Sequence, residues 1–146
     1  MNKSIWMMSA LVVGLTACGQ TTSSSSTSPS NETTEEVAQQ PSIVSVGAEE
    51  FEKRMEETPG YLLDVRTPAE FAEGHIEGAN LINFYDSDFK DRISELDKSE
   101  TVYVYCRSGG RSGNASRVME ELGFQNVVDL SGGITSWKAK GHPTVQ

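Results

Sequence analysis

The sequence predicts an α/β domain with a five-stranded, largely parallel sheet and helices on both faces. Two observations lead to this fold class. Short apolar runs alternate with amphipathic stretches along residues 43–146, which is the pattern of strands and helices in βαβ units. Parallel strands joined in this way need cover on both sides. This segment is also close to the commonest domain size and can bury a core without disulfides.

The first half of the domain contains three predicted strands and two predicted helices. Residues 43–46 are an apolar run, and the amphipathic helix 48–57 ends at a Thr-Pro-Gly turn. Residues 61–65 have the composition of a buried strand. A second helix begins at Thr67, which is followed by proline at the first helical position and by Glu70 in capping-box spacing, and it ends at a glycine. Residues 79–84 predict the third strand.

The second half repeats the alternation. Residues 88–96 predict a helix, and 101–105 predict a core strand rich in Val and Tyr. The helix predicted over 112–122 is stopped by a glycine. Residues 127–130 then form the fifth strand, and 134–140 form a last helix that ends before another glycine.

The first 17 residues predict a lipoprotein signal peptide. Lys3 supplies a positive charge, residues 5–15 are apolar, and the segment 15–17 ends in small residues before Cys18. A membrane-spanning helix needs about 20 apolar residues, so this run is too short. The tetrad that ends at Cys18 resembles the lipobox of bacterial lipoproteins, which implies cleavage before Cys18 and acylation of its thiol. The alternative is an ordinary signal peptide in which Cys18 is incidental.

Residues 18–42 predict a linker behind the lipidated cysteine. Ser, Thr, Asn, Glu and Gln dominate residues 19–40, and almost no large apolar side chain is available for burial, which is typical of disordered chain. A random coil of this length spans about 25 Å. We therefore expect a domain tethered through Cys18 to the outer face of the bacterial cytoplasmic membrane, or to the periplasmic side, with lipid as its only membrane contact.

The charge of the domain restricts its partners. Residues 43–146 contain 11 Lys and Arg against 18 Asp and Glu, so the net charge is near −7. Binding to nucleic acid or to anionic lipid through overall charge is not expected. An anionic substrate therefore requires a local cationic pocket. No metal site is expected either, because the domain has one cysteine and two distant histidines.

Cys106 is the candidate nucleophile. It follows the strand 101–105 and opens the tract Cys-Arg-Ser-Gly-Gly-Arg-Ser, which leads into a helix. Sites in parallel sheets lie at the carboxyl ends of strands. Gly109 and Gly110 permit backbone angles that turn successive N–H groups inward as an anion nest, and the helix adds its positive end. Both effects favour a thiolate at Cys106.

Each of these residues also has a simpler interpretation. A single cysteine at a strand end is commonly a small buried hydrophobe, but the polar and glycine residues after Cys106 favour a functional role. An isolated surface arginine is normally just solvated. Arg107 and Arg111 flank a Gly-Gly turn beside a thiolate, which makes anion binding the better interpretation.

Three segments in order resemble one known family. The Cys106 tract, the upstream LLDVRTPAEFAEGHIEGANLINF and the downstream GFQNVVDLSGGITSWKAKGHP together are similar to a single rhodanese domain over residues 43–146. The resemblance implies a five-stranded parallel sheet and sulfur transfer. The cysteine would attack the outer sulfur of thiosulfate or a related donor and pass it to cyanide, a small thiol or a protein thiol. No cofactor is implied.

The resemblance also implies roles for individual residues. Cys106 would carry the persulfide. The substrate-binding loop would consist of Arg107, Ser108, Gly109, Gly110 and Arg111. Arg111 would close this loop, with the carboxylate of Glu70 as its candidate partner. Asp64 and Arg66 would support the loop from the neighbouring strand end, although a structural role fits them equally, Asp64 in particular. His75 is expected to act in packing or in a turn, as are residues 131–133, with Trp137 in the core.

Two other functions remain open on the sequence. Phosphatases and arsenate reductases also use a cysteine in a loop closed by arginine. Tyrosine phosphatases need five residues between the two, whereas four separate Cys106 from Arg111. The third interpretation is a rhodanese-like redox or binding module without catalytic activity, against which the retained cysteine argues.

Overall fold

The computed structural model of the protein describes residues 41–146. The predicted signal peptide, Cys18 and the linker up to residue 40 lie outside the described residues. Within 41–146, no helix is long and apolar enough to cross a membrane. The strands are β1 (Ser42–Val46), β2 (Tyr61–Asp64), β3 (Asn80–Leu81), β4 (Thr101–Tyr105) and β5 (Asn126–Leu130). The helices are α1 (Ala48–Glu57), α2 (Pro68–Ala72), α3 (Phe89–Ser94), α4 (Gly110–Glu121) and α5 (Gly133–Ala139).

The five strands form one parallel sheet in the order β1-β5-β4-β2-β3. The predicted fold class is confirmed. β4 is the central strand, and at its carboxyl end Tyr105 pairs with Asp64 of β2 while Val104 pairs with Asp129 of β5. Cys106, the next residue of the chain, therefore emerges at the middle of the carboxyl edge of the sheet.

Helices cover both faces of the sheet, and alternate strand residues supply the two cores. On one face α3 and α4 pack over a cluster that includes Leu63, Val104, Ile93, Ala115 and Met119. On the other face α1 and α5 pack over a cluster that includes Phe51, Tyr103, Leu130, Ile134 and Trp137. Trp137 is buried, as expected for a core residue. Each large side chain buried in this way contributes roughly 1.5–3 kcal/mol through the hydrophobic effect, which makes the sheet a rigid base for the loop that follows β4.

Most observed boundaries lie within two residues of the predicted ones, and two differences change how the chain is interpreted. The third strand has two residues instead of the predicted 79–84, because the chain after Leu81 makes only single contacts with the end of β2: Ile82 N–H donates to the Asp64 carbonyl at 3.0 Å, and Phe84 N–H to that of Val65 at 3.2 Å. The apolar alternation that suggested a longer strand arises from burial of Ile82 and packing of Phe84 against the core. The second difference, at the start of α4, bears on the site.

Candidate active site

The loop between β4 and α4 carries the candidate nucleophile. α4 begins at Gly110 and not at residue 112, so most of the predicted loop is already turning into the helix. Gly109 is its N-cap, with φ of 96°, a left-handed conformation that glycine adopts without strain. This turn directs the N-terminus of α4 at Cys106, which is 1% exposed.

Hydrogen-bond donors from the loop and helix surround the sulfur of Cys106. The Gly109 N–H donates to Sγ at 3.1 Å, and the Ser112 hydroxyl lies 3.6 Å from Sγ. Burial of Cys106 raises the pKa of its thiol, but hydrogen bonds from the Ser112 backbone and hydroxyl, and from the Ser108 and Gly109 backbone, outweigh burial. The pKa of Cys106 therefore lies below its ordinary value, as expected for a sulfur anion in an amide cradle.

Ser112 is a site residue that the sequence reasoning missed. The sequence predicts Ser112 only as the first residue of a helix. Because α4 begins two residues earlier, Ser112 lies in the first turn of the helix, fully buried, with its hydroxyl facing the sulfur. The sequence does show a serine directly after Arg111. Its proximity to the sulfur can be predicted only when the first residue of α4 is known.

Arg111 is held by Glu70, the partner expected from the sequence. Its two terminal nitrogens donate to the two carboxylate oxygens at 2.7 Å each, a bidentate pair. Glu70 is also the N3 residue of a capping box with Thr67 at the start of α2. Arg111 lowers the pKa of Glu70 to about 2. The exposed Tyr85 ring lies 5.5 Å from the Arg111 guanidinium carbon, on the outer side of this pair.

Asp64 and Arg66 form a second, buried ion pair at the end of β2. Arg66 Nη2 donates to Asp64 Oδ2 at 2.6 Å, and Nε donates to Oδ1 at 3.0 Å. Nη2 also donates to the Gly74 carbonyl at 2.9 Å, and the guanidinium lies 5.6 Å from the centre of the Tyr105 ring. The side chain of Arg66 is 4% exposed and that of Asp64 is 0% exposed. Neither side chain has a hydrogen bond to Cys106. This geometry fastens the end of β2 to the segment after α2.

The N-terminus of α5 packs directly against the backbone of the active-site loop. Ile134 N–H donates to the Cys106 carbonyl at 2.9 Å, and the N–H and hydroxyl of Thr135 donate to the Arg107 carbonyl at 3.1 and 2.8 Å. Gly133 has φ of 58°, and a Cβ at this position would overlap the Cys106 carbonyl oxygen. The turn predicted at residues 131–133 therefore permits a close approach that no other residue type allows.

A cavity of about 140 Å³ lies beside the loop; its lining includes Arg107 but not Cys106 itself. Its charged lining residues are Arg66, Glu70, Glu73, Arg107 and Lys138. Arg66 and Glu70 are engaged in the ion pairs described above, which leaves Arg107 and Lys138 against the single carboxylate of Glu73. Although the domain is acidic, this cavity is locally cationic and suits a small anion.

The comparisons with known proteins agree with this geometry. A family model described as "Rhodanese-like domain" matches residues 47–140. The chain belongs to the rhodanese-like family. The chain is 38% identical over 101 residues to a sulfurtransferase of Allochromatium vinosum, which covers 68% of this chain and 92% of that protein. It is 37% identical over 92 residues to thiosulfate sulfurtransferase 16, chloroplastic, of Arabidopsis thaliana, covering 56% of this chain and 77% of that protein.

The fold of this rhodanese-like chain also matches solved structures. The crystal structure of a rhodanese-related protein from Thermoplasma volcanium superposes with a TM-score of 0.62 at 31% identity, covering 69% of this chain and 96% of that one. The resemblance drawn from the three sequence segments is therefore confirmed at the level of family and fold.

Two further parts of the rhodanese-like domain bear on the chemistry. His75 stacks on Phe71 with ring centroids 3.7 Å apart, and its backbone pairs with Val145, contacts that serve packing. Among residues 41–146, no three His, Cys, Asp or Glu side chains come together in a group that could hold a metal ion. Cys106 is the only cysteine among residues 41–146, and it is not in a disulfide.

Proposed function

We propose that this protein is a sulfurtransferase that carries sulfane sulfur as a persulfide on Cys106. The observation that carries the proposal is the cradle of donors around Sγ, which lowers the pKa of the thiol. A thiolate is the nucleophilic form of cysteine, and the same donors suit the negative charge of a persulfide. The sulfurtransferase relatives described above support the same reaction class.

The reaction proceeds in two displacement steps on sulfur. The Cys106 thiolate attacks the outer sulfur of thiosulfate, a new S–S bond forms, and the bond to the sulfonate sulfur breaks so that sulfite leaves with its electron pair. In the second step a thiophile such as cyanide attacks the outer persulfide sulfur, and the thiolate is regenerated. Neither step requires a cofactor or a net proton transfer. The requirement on the protein is to keep Cys106 ionised and oriented.

The surrounding residues suit a small anionic donor. The cavity beside the loop places Arg107 and Lys138 where they would attract an anion. Arg111 and Glu70 hold the outer end of the loop, and Asp64 and Arg66 hold the strand end below it. We assign Arg111, Glu70, Asp64 and Arg66 to shaping the loop, and Cys106 with the loop amides to the chemistry.

A thiosulfate:cyanide assay on the full chain tests this function. Thiocyanate production is expected from the wild type and is expected to be absent from Cys106→Ser, because an alkoxide cannot form a persulfide. The matched control is Ser94→Ala, which changes an exposed serine of α3 outside the active-site loop and should leave thiocyanate production unchanged. Thiocyanate production by Cys106→Ser at the wild-type rate would refute the proposal. Turnover of an aryl phosphate or of arsenate without thiocyanate production would favour the phosphatase-like or reductase-like alternative.

We further propose that the protein works outside the cytoplasmic membrane, held there by lipid on Cys18. The support is the sequence alone: a short apolar stretch that ends in Leu-Thr-Ala before Cys18. Acylation would leave Cys106 as the free thiol of the mature chain. In an oxidising compartment the persulfide would then compete with oxidation of the same sulfur.

A further inference from the structure

A second buried acid lies on the same face of the sheet as Cys106. Asp129 belongs to β5, next to the central strand, and its side chain is 7% exposed. Alternate residues of a strand face opposite sides, and Val127 belongs to the core under α4, so Asp129 also faces α4. The reaction described above does not use this carboxyl group, although burial of a carboxyl in a core is unfavourable unless it is well hydrogen-bonded.

The hydrogen bonding of Asp129 is incomplete. Oδ2 accepts from the Ser45 hydroxyl of β1 at 3.0 Å, whereas Oδ1 is buried and has no hydrogen-bond partner within residues 41–146. Burial raises the pKa of Asp129, while the hydroxyls of Ser112 and Ser45 oppose this effect. Ser112 lies in the first turn of α4, on the face of the sheet towards which Asp129 points, and its hydroxyl has no hydrogen bond to either carboxylate oxygen.

Ser112 has one hydroxyl hydrogen and three acceptors near it. The hydroxyl lies 3.2 Å from the Gly109 carbonyl oxygen and 3.6 Å from Cys106 Sγ, and it also acts on the Asp129 carboxylate. A hydroxyl donates a single hydrogen bond, so the acceptors compete.

We propose that Asp129 is a positioning residue for Ser112: its carboxylate competes with the sulfur of Cys106 for the hydroxyl hydrogen. When Asp129 is ionised, the Ser112 hydroxyl turns towards Oδ1 and the sulfur loses a donor. When Asp129 is protonated, its own O–H donates to Ser112 Oγ, and the Ser112 hydrogen is free for the sulfur. The proton on the carboxyl group thus decides whether the thiolate receives this hydrogen bond.

The groups that face Asp129 define how this competition depends on pH. They are the Ser45 hydroxyl from β1, the Ser112 hydroxyl from α4 and, across the ladder on β4, the apolar residue Val104. Cys106 lies beyond Ser112, so the carboxylate and the thiolate are two anions bridged by one hydroxyl. Ionisation of either group therefore disfavours ionisation of the other.

The test replaces the carboxylate by a neutral group of the same shape. In Asp129→Asn the side-chain amide can donate to Ser112 Oγ, as the protonated acid does. We expect the thiol pKa of Cys106 to fall by about half a unit to one unit, which raises the ratio of thiolate to thiol at a given pH about three- to tenfold. The readout is the absorbance of the thiolate, measured against pH on the full-length protein. The absorbance of the same protein carrying Cys106→Ser is subtracted, so that only the signal of Cys106 remains. The exposed Asp91→Asn is the charge-matched control and should leave this pKa unchanged.

A second background shows whether Ser112 transmits the effect. When the protein already carries Ser112→Ala, adding Asp129→Asn should change the thiol pKa of Cys106 by less than half as much as it does in the wild type. An equal change in both backgrounds, or no change in either, would overturn the proposal. The inference rests on Cys106 being the reactive thiol, but thiolate absorbance does not depend on sulfur transfer, so failure of the enzymatic proposal would be seen separately as absent thiocyanate.

A measurement on the carboxyl group itself is independent of the asparagine variant. The Ser112 hydroxyl acts to lower the pKa of Asp129, so Ser112→Ala should raise that pKa in a carbon-13 titration of the Asp129 carboxyl. A carboxyl group that titrates identically with and without the Ser112 hydroxyl would also overturn the proposal, even if Asp129→Asn fails to fold.

Discussion

Glu70→Gln isolates the ion pair that closes the active-site loop. Glu70 accepts from the backbone N–H of Thr67 at 3.1 Å in the capping box of α2 and from both terminal nitrogens of Arg111. Glutamine keeps a carbonyl oxygen for the capping box but loses the charge and the second acceptor oxygen. The substitution therefore weakens the contact with Arg111 and leaves the start of α2 intact.

The size of the effect follows from the pKa of Glu70. Its fall from 4.5 to about 2, caused chiefly by Arg111, corresponds to a ceiling of about 3.5 kcal/mol at roughly 1.4 kcal/mol per pKa unit. The Arg111 and Glu70 side chains are 16% and 21% exposed, so solvent screens the pair. We expect Glu70→Gln to lower the free energy of unfolding by about 1–2 kcal/mol at pH 7.

The pH dependence has a defined sign. Because the pKa of Glu70 is lower in the folded protein than in the unfolded chain, the stabilisation is complete above about pH 5 and is lost as the pH falls through 4.5 towards 2. Urea unfolding of the wild type and of Glu70→Gln at pH 7 and at pH 3 measures the difference in their free energies of unfolding. This difference should be less than half as large at pH 3 as at pH 7. Glu73→Gln, one turn further along the chain, is the control and should change stability by less than about 0.5 kcal/mol at both pH values. A Glu70→Gln difference that is independent of pH would refute the reasoning.

Two other substitutions test the remaining supports of the site, and a third tests the membrane anchor. Gly133→Ala should lower the free energy of unfolding by about 2 kcal/mol or more, because the new Cβ would lie 2.6 Å from the Arg107 carbonyl carbon. The control is Gly141→Ala, at a glycine that also has a positive φ but has open space around it. This control should lower the free energy of unfolding by less in the same urea assay. Asp64→Asn should lower the free energy of unfolding by about 3–5 kcal/mol by leaving the Arg66 guanidinium buried without a counter-charge, and an unchanged thermal midpoint would contradict this. Cys18→Ala should move the protein from the membrane fraction to the soluble fraction of cells, and retention with membranes would exclude lipid on Cys18 as the anchor.

The elements that the sequence predicts well are those with local causes. Helix α1 matches its predicted bounds, and the capping box of α2 is present because Thr67 and Glu70 interact within one turn. The strand 101–105 is also predicted to the residue, since a continuous apolar run in a parallel sheet needs no information from distant residues. The alternation of these elements was enough to predict the fold class.

The parts that could not be predicted depend on tertiary contacts. Two glycines suggested a non-helical loop up to Arg111, but Gly109 takes the left-handed turn and Gly110 starts α4, which brings Ser112 to the sulfur. The sequence predicts only a turn at Gly133. The close approach of Gly133 to the Cys106 carbonyl exists because the N-terminus of α5 packs against the loop. The position of Asp129 beside Ser112 likewise depends on the order of β5 and β4 in the sheet.

Intact-protein and peptide mass spectrometry after incubation with thiosulfate tests the central claim most directly. The account predicts one added sulfur atom on the peptide that contains Cys106, its removal by cyanide, and no addition in Cys106→Ser. An unmodified Cys106 after thiosulfate, or a sulfur atom that cyanide does not remove, would contradict the assignment of Cys106 as the sulfur carrier.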